Sequence, residues 1–343
     1  MTLRSTVDTL LGKFEKDFVT HNRIEVSTSA ILHNLGLFQQ PSNKQVIPVL
    51  KGNAYGHGIE QIATILSGQD IPYVAVDGYF EALRVRKVSK QPVLIMGAIK
   101  PENFSHLRYD DFAFVVQDET TIRALAASGK RINVHLECNT GMNRYGVRSS
   151  EATMLARLIM SFKNLTLEGI MSHLADSDGN DPVTVDDAVR LFDDTVKEIL
   201  DLGASPTLIH IAQTAGSLKA KSRYANNIRL GIGLYGINPF SPKHHLHAAL
   251  KDLRPALQLI STITKTIDLQ KGESVSYNYT YTAPKQMQIG VLPLGYYEGL
   301  NRTLSNTGSV RYETNDLPIV GRICMNHTMI DLGDTKARIG TEK

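Results

Sequence analysis

Residues 49–58 read VLKGNAYGHG: an apolar run ends on Lys51 and turns at once through Gly52, Gly56 and Gly58. A lysine at a strand end is ordinarily a solvated edge residue, so its meaning depends on what surrounds it. Outward from it, short β-rich runs alternate with helix-like segments: IEVST (24–28), VIPVLK (46–51), YVAV (73–76), PVLIMG (92–97), FAFVV (112–116), INVHLE (132–137), LEGIMS (167–172), TLIHI (207–211) and NIRL (227–230). Most are apolar throughout rather than alternately, the pattern of a parallel sheet covered on both faces. Stretches such as SSEATMLARLIMSF (149–162) and TVDDAVRLFDDTVKEILDL (184–202) are long and amphipathic enough to be crossover helices. With the first run set aside, eight strands remain, each but the last followed by a helical pattern, and eight is the number that closes a TIM-type (β/α)8 barrel.

The texture changes after about residue 245. LQLISTITKTIDLQ, VSYNYTYTA, QMQIGVLPLG and LPIVGRICMNHTMIDLG are strand-like, with turn residues between them (Lys271-Gly272, Asn306-Thr307-Gly308) and no long helix. The expected fold class is therefore α/β, with a barrel over 23–245 followed by a mostly β domain over 246–343. Residues 1–22 carry Val7, Leu10, Leu11, Phe14 and Phe18 at helical spacing and read as a helical extension.

With 343 residues, 42% of them hydrophobic, the chain can bury a large core. The formal charge of +3 is small and the basic residues form no block, which argues against a nucleic-acid partner. No apolar stretch is long enough to span a membrane and the charged N-terminus does not read as a signal peptide, so a cytoplasmic protein is expected. Cys138 and Cys324 are too few and too far apart for a disulfide framework or a zinc site. They read as reduced packing residues, and no metal is expected.

In a closed parallel barrel the chemistry gathers at the C-terminal ends of the strands. That rule collects Lys51 after the first strand, Arg144 after the fifth, His173 after the sixth, His210, Gln213 and Thr214 at the seventh, and Arg229, Gly231 and Gly233 at the eighth. The turns after strands seven and eight are where such barrels most often hold a phosphate, with Thr214 offering a hydroxyl and Gly231 and Ile232 their amides. A desolvated lysine facing a phosphate site points to an aldehyde cofactor held as a Schiff base. Pyridoxal phosphate satisfies both halves.

VLKGNAYGHG resembles the cofactor-lysine motif of bacterial alanine racemases. The likeness extends in order through NTGMNRYG, LEGIMSHLADSD, NIRLGIGLYGIN, VSYNYTYTA, LPLGYYEGLNR and IVGRICMNHTMIDLG, from about residue 23 to the end. The resemblance implies a pyridoxal-phosphate barrel plus a β domain, working as a head-to-tail homodimer on an amino-acid substrate and supplying D-alanine for peptidoglycan. It gives Lys51 the cofactor and the role of acid or base on one face of the substrate. Tyr277 would serve the other face, reached from the partner subunit; two opposed bases are what racemisation needs. Arg229 would face the pyridine nitrogen, with His210 orienting it and His173 near the ring. Tyr55, Thr214, Gly231, Ile232 and Tyr296 would hold the phosphate, and Arg144 with the backbone of Met325 the substrate carboxylate. Period-two alternation alone puts Tyr277, Tyr279 and Tyr281 on one strand face and does not choose among them.

The chain also departs from the family pattern. Glu137 stands seven residues before Arg144, where many members carry a carbamylated lysine that orients the arginine, and the expectation is that Glu137 supplies that negative charge itself. Gln213-Thr214 replaces an Asn-Ser pair, Asn278 a glycine and Leu230 a proline. Ending at RIGTEK, the chain stops short of the family's last segment, so a shortened β domain is expected. The rival readings are a broader racemase acting on serine or lysine, a barrel-type decarboxylase, which Arg229 opposes, and a non-catalytic pyridoxal-phosphate homeostasis protein, which the VSYNY run opposes.

Overall fold

The computed structural model describes residues 19–39, 44–109 and 111–342; the helical extension predicted on Val7 to Phe18 lies outside them. Nine strands run through the first part of the chain: β1 (Asn22–Val26), β2 (Gln45–Pro48), β3 (Val74–Val76), β4 (Val93–Ile95), β5 (Phe112–Val116), β6 (Ile132–Glu137), β7 (Leu165–Met171), β8 (Leu208–His210) and β9 (Asn227–Leu230). From β2 to β9 they form one eight-stranded sheet in the order β2-β9-β8-β7-β6-β5-β4-β3. Its pairings are parallel. A bridge between Val49 and Ala75 joins the two ends, and the Leu50 amide donates to the Ala75 carbonyl at 2.7 Å. The predicted barrel is present, and Lys51 lies immediately beyond this closure.

Alternation along the strands sorts side chains into two layers. Val46, Val74, Val93 and Ile95 pack outward against the helices, while Ile47, Val49, Ala75, Leu94 and Ala113 form a smaller buried cluster of their own. On β6 the outward set is Ile132, Val134 and Leu136, which leaves Asn133, His135 and Glu137 on the opposite face. Helices follow most strands, but β4 is followed only by a 3-10 turn, Pro101–His106, and β8 only by Gly216–Lys219. The helical pattern expected after each strand is therefore reduced at these two places to six residues of 3-10 turn and a four-residue helix.

Contacts divide the chain into two compact units, one of Val26–Ala256 and another in which residues up to Glu25 join those from Leu257 onward. In the second, β1 pairs with β10 (Leu257–Ser261) and a three-stranded antiparallel sheet runs β11 (Lys265–Leu269), β14 (Met287–Leu292), β17 (Thr328–Asp331). Two hairpins complete it, β12 (Ser274–Val275) with β13 (Tyr281–Thr282) and β15 (Ser309–Tyr312) with β16 (Asn315–Pro318). Tyr277–Tyr279 is not strand. It is a 3-10 turn entered at Ser276 (φ 64°) and carrying Asn278 at φ 61° and Tyr279 at φ 50°, so Tyr277, Tyr279 and Tyr281 do not share one strand face. Asparagine adopts this left-handed backbone more readily than most residues, which fits its place at 278. Among the described residues no helix is long and apolar enough to cross a membrane, and no group of three or more His, Cys, Asp or Glu side chains is placed to hold a metal ion.

Candidate active site

Lys51 opens a turn of unusual backbone. Gly52 (φ 64°, ψ 43°), Asn53 (φ 55°, ψ 45°) and Ala54 (φ 55°, ψ 49°) are all left-handed, and Tyr55 follows at φ 53°. Each non-glycine residue in this conformation costs about 1–2 kcal/mol, so the turn needs outside support. The Glu81 carboxylate supplies it, accepting the amides of Gly52 at 2.7 Å and Asn53 at 3.3 Å through one oxygen. Its other oxygen accepts the amides of Asp77 at 3.0 Å and Gly78 at 3.4 Å. Asn53 Oδ1 accepts the Ile59 amide at 3.1 Å, and the buried Tyr235 hydroxyl donates to the Val49 carbonyl at 2.8 Å. Consecutive amides converging on one anion thus fix where the lysine leaves the barrel wall.

Lys51 lines a cavity of about 520 Å³ together with Tyr55, Glu137, Arg144, His173, Thr214, Arg229, Gly231 and Ile232. That volume suits a small cofactor with its substrate. One end is built for an anion. A Cβ on Gly231 would lie 3.0 Å from the Tyr55 hydroxyl and 4.0 Å from Thr214 Oγ1, so the absent side chain leaves a cradle between two hydroxyls. Ile232 is the first residue of a 3-10 turn, whose opening amides have no partner inside the turn. Thr214 is buried and accepts the Gly233 amide at 3.2 Å. Gln213 donates to Ser177 Oγ at 2.5 Å, while its Oε1 is buried on the cavity wall without a partner.

Arg229 is buried at the end of β9, and burial pulls its guanidinium down to about 10, against the attraction of Glu137. It remains a cation at neutral pH. Nη1 lies 2.6 Å from His210 Nδ1 and donates to the His210 carbonyl at 3.1 Å; Nη2 donates to the Ser172 carbonyl at 2.6 Å and lies 3.1 Å from His173 Nδ1. Burial, and then the positive charges of Arg229, Arg144 and Lys51, hold His173 neutral, with its pKa down to about 3. Glu137 is buried: desolvation raises its carboxyl, and the charges of Arg229 and Arg144 act in the opposite direction. No hydrogen bond joins Glu137 to Arg144 among the described residues; the coupling is through space.

The structure therefore gathers Lys51, Tyr55, Glu137, Arg144, His173, Thr214, Arg229, Gly231 and Ile232 on one cavity, with His210 behind Arg229. Tyr277, Tyr296 and Met325 belong to the β unit, where they are 64%, 46% and 50% exposed. Tyr296 packs beneath the Arg302 guanidinium, and its amide donates to the Cys324 carbonyl at 3.1 Å. Glu81 was missed in the sequence reading, although a glutamate three residues beyond Gly78 at a helix start carried the capping signal. Asp77, Tyr145 and Asp178 also line the cavity and had no sequence signal of their own. Cys138 and Cys324 are both free, and burial lifts the Cys138 thiol to about 12.

A closed parallel barrel with a lysine at its first strand end, a buried arginine on the neighbouring strand and an antiparallel β unit belongs to the barrel class of pyridoxal-phosphate enzymes. The alanine racemase N-terminal domain model matches residues 26–239 and the alanine racemase C-terminal domain model residues 256–343. The chain belongs to the alanine racemase family, whose members are pyridoxal-phosphate-dependent isomerases. It is 34% identical over 324 residues to an alanine racemase of Treponema denticola, an alignment covering 90% of this chain and 84% of that one. The alanine racemase of Bacillus anthracis, solved with bound L-Ala-P, superposes with a TM-score of 0.83 at 28% identity, covering 95% of this chain and 85% of the other. The Bartonella henselae alanine racemase, solved with covalently bound pyridoxal phosphate, shares the fold with a TM-score of 0.80 at 21% identity, over 94% and 90% of the two chains.

Proposed function

We propose that this chain interconverts L- and D-alanine by a two-base mechanism with pyridoxal phosphate held at Lys51. The observation that carries the reading is that Lys51, Arg229 and the Tyr55–Thr214–Gly231 cradle line one cavity. The group fits the residues: an amine for its aldehyde, a cradle of hydroxyls and amides for its phosphate, and a buried cation on the same cavity for its ring nitrogen. When bound, it supplies an electron sink for the pair left at the substrate α-carbon.

The rest of the work falls to the protein. Arg229 keeps its own proton at any working pH, so it would donate a hydrogen bond to the group's ring nitrogen without protonating it. Its Nε has no hydrogen bond among the described residues and is the nitrogen left for that contact. Weakening the sink in this way favours return of the proton to the α-carbon over side reactions. Lys51 Nζ takes or gives the α-proton on one face, and Tyr277 Oη does so on the other. Arg144, on the cavity wall, receives the substrate carboxylate. The exposed Tyr277 turn suits delivery to a second subunit's site, which makes the working form a homodimer; the family supports extending the reading to a cytoplasmic source of D-alanine for peptidoglycan.

Alanine in deuterium oxide tests the reading. Both enantiomers should exchange the α-hydrogen with inversion, and Lys51→Ala should abolish it. Loss of carbon dioxide points instead to a decarboxylase, and binding without exchange to a carrier. Mixing Lys51→Ala with Tyr277→Phe protein should restore activity in hybrid dimers if Tyr277 works in the partner's site, and restore none if it does not.

A further inference from the structure

The hydrogen bonds behind Arg229 do not stop at His210. His210 Nε2 lies 2.9 Å from Nδ1 of His135 on β6. His135 Nε2 in turn lies 3.5 Å from Oε2 of Glu168 on β7, within ion-pair distance, and makes no hydrogen bond among the described residues. The Tyr73 hydroxyl donates to the same Glu168 oxygen at 2.6 Å. Both histidines are fully buried, whereas Glu168 is 21% exposed and lines a second cavity of about 500 Å³ with Tyr73, Arg131 and Asn133. These residues sit at or near the starts of their strands, so this cavity is at the N-terminal mouth, opposite Lys51. The chain of contacts crosses the barrel interior from one mouth to the other.

Its proton positions follow from the chemistry of the groups. A guanidinium only donates, so His210 Nδ1, 2.6 Å from Arg229 Nη1, must accept. A neutral His210 then carries its proton on Nε2 and donates it to His135 Nδ1. His135 can accept there only with its own proton on Nε2, facing the carboxylate. Burial keeps both imidazoles below their ordinary pKa and hence neutral. Burial alone would raise Glu168, but the facing His135 ring and the hydrogen bond from Tyr73 leave it lowered, and therefore ionised. Room for the relay is specific: a Cβ on Gly169 would fall 2.4 Å from His135 Nδ1 and 2.5 Å from Cγ, so only glycine leaves space for that ring.

We propose that Glu168 and His135 are positioning residues for Arg229: the Glu168 carboxylate at the far mouth fixes the tautomer of His135, and through it His210, so that Arg229 is always met by an acceptor. Without that carboxylate only the Arg229 end of the chain directs the protons, and a neutral His135 meets less resistance to carrying its proton on Nδ1. His210 would then have to accept at Nε2 and carry its proton on Nδ1, setting two donors against each other at the Arg229 contact. The inference rests on the function proposed above only in giving Arg229 a task; the tautomers are measurable without it.

Nitrogen-15 NMR of histidine-labelled holoenzyme reads both rings. The wild type should show Nε2–H at His135 and His210. Glu168→Leu should bring Nδ1–H signal to these rings and lower kcat for alanine roughly tenfold, with KM little changed. Glu168→Gln, which keeps an acceptor, should retain the wild-type tautomers and most of kcat. Nδ1–H on either ring in the wild type overturns the proposal, as does a Glu168→Leu protein with unaltered tautomers, whatever its activity. Should that variant not fold, the wild-type tautomers decide alone. An inactive wild type with the expected tautomers would count against the racemase reading and leave the relay standing.

Discussion

The Glu81 carboxylate reaches across from the helix Tyr79–Val88 to hold the amides of Gly52 and Asn53, the two residues that follow Lys51. One side chain on a neighbouring element thus supports a left-handed turn that Asn53, Ala54 and Tyr55 do not favour by themselves. Glu81→Ala should cost about 1–3 kcal/mol, the scale of losing a charged acceptor for amides. It should also weaken retention of pyridoxal phosphate, because Lys51 is no longer held at the wall. Glu81→Gln, with one acceptor oxygen, should fall between. Urea midpoints give the first effect and cofactor titration the second; wild-type values for both in Glu81→Ala would remove the turn's dependence on this contact.

Gly231 and Gly233 are two residues apart and predict different failures. A Cβ on Gly231 enters the cradle at 3.0 Å from the Tyr55 hydroxyl, whereas one on Gly233 meets Thr214 Cγ2 at 2.6 Å, Leu230 Cδ1 at 3.0 Å and Phe38 at 3.1 Å. Gly231→Ala should therefore leave the melting temperature of the cofactor-free protein nearly unchanged and weaken pyridoxal-phosphate binding about tenfold, or 1.4 kcal/mol. Gly233→Ala should destabilise the fold by about 1–3 kcal/mol through overpacking. Paired melting curves and cofactor titrations distinguish the two, and equal effects on both quantities would contradict the assignment of the cradle.

Three histidines around Arg229 give the fold a pH dependence of known sign. Burial first, and nearby positive charge second for His173 and His210, lower His173 to about 3 and hold His135 and His210 below the ordinary value. The unfolded chain has histidines near pKa ~6.5 and so binds more protons than the folded one below that pH. Their stabilising effect is complete above about pH 6.5 and is lost as pH falls toward the folded pKa, about 3 for His173. Each such proton contributes up to about 1.4 kcal/mol per pH unit. Glu137, raised by burial, has the opposite sign: its contribution is present at low pH and lost as pH rises through its folded pKa. Denaturant midpoints should drop between pH 7 and 5, and His173→Gln should make the drop shallower; a flat profile would mean these rings are charged in the fold.

The barrel was legible because its strands are continuous apolar runs of the right number, and the strand-end rule then brought Lys51, Arg144, His173 and Arg229 to one mouth. Less of the detail was legible, for identifiable reasons. Gly52, Gly56 and Gly58 announced a bend, but no propensity assigns left-handed backbone to Ala54 or Tyr55; only the anion on a later helix makes it tolerable. The VSYNY run carries β-forming residues, yet three positive φ values between Ser276 and Tyr279 override them. His135 and Glu168 lay inside runs read as apolar strands. The spacing of Asn133, His135 and Glu137 at every second residue was the visible sign that β6 turns a polar face inward.

Glu137 is the carboxyl that acts on both Arg144 and Arg229, with no hydrogen bond to either among the described residues. A buried carboxyl without a hydrogen-bonded partner is costly, so its retention on this wall calls for electrostatic compensation, which the two guanidiniums provide. Glu137→Gln keeps the shape and removes the charge. Arg144, exposed at the rim, should then lose part of what restrains it, and the KM for alanine should rise roughly tenfold, the effect of about 1.4 kcal/mol, with a smaller change in kcat. The same substitution should remove the part of the stability profile that falls as Glu137 ionises, because that group is gone. Steady-state kinetics in both directions and a stability profile from pH 5 to 9 measure the two effects. Unchanged activity together with unchanged substrate affinity would rule out any part for Glu137 in holding Arg144.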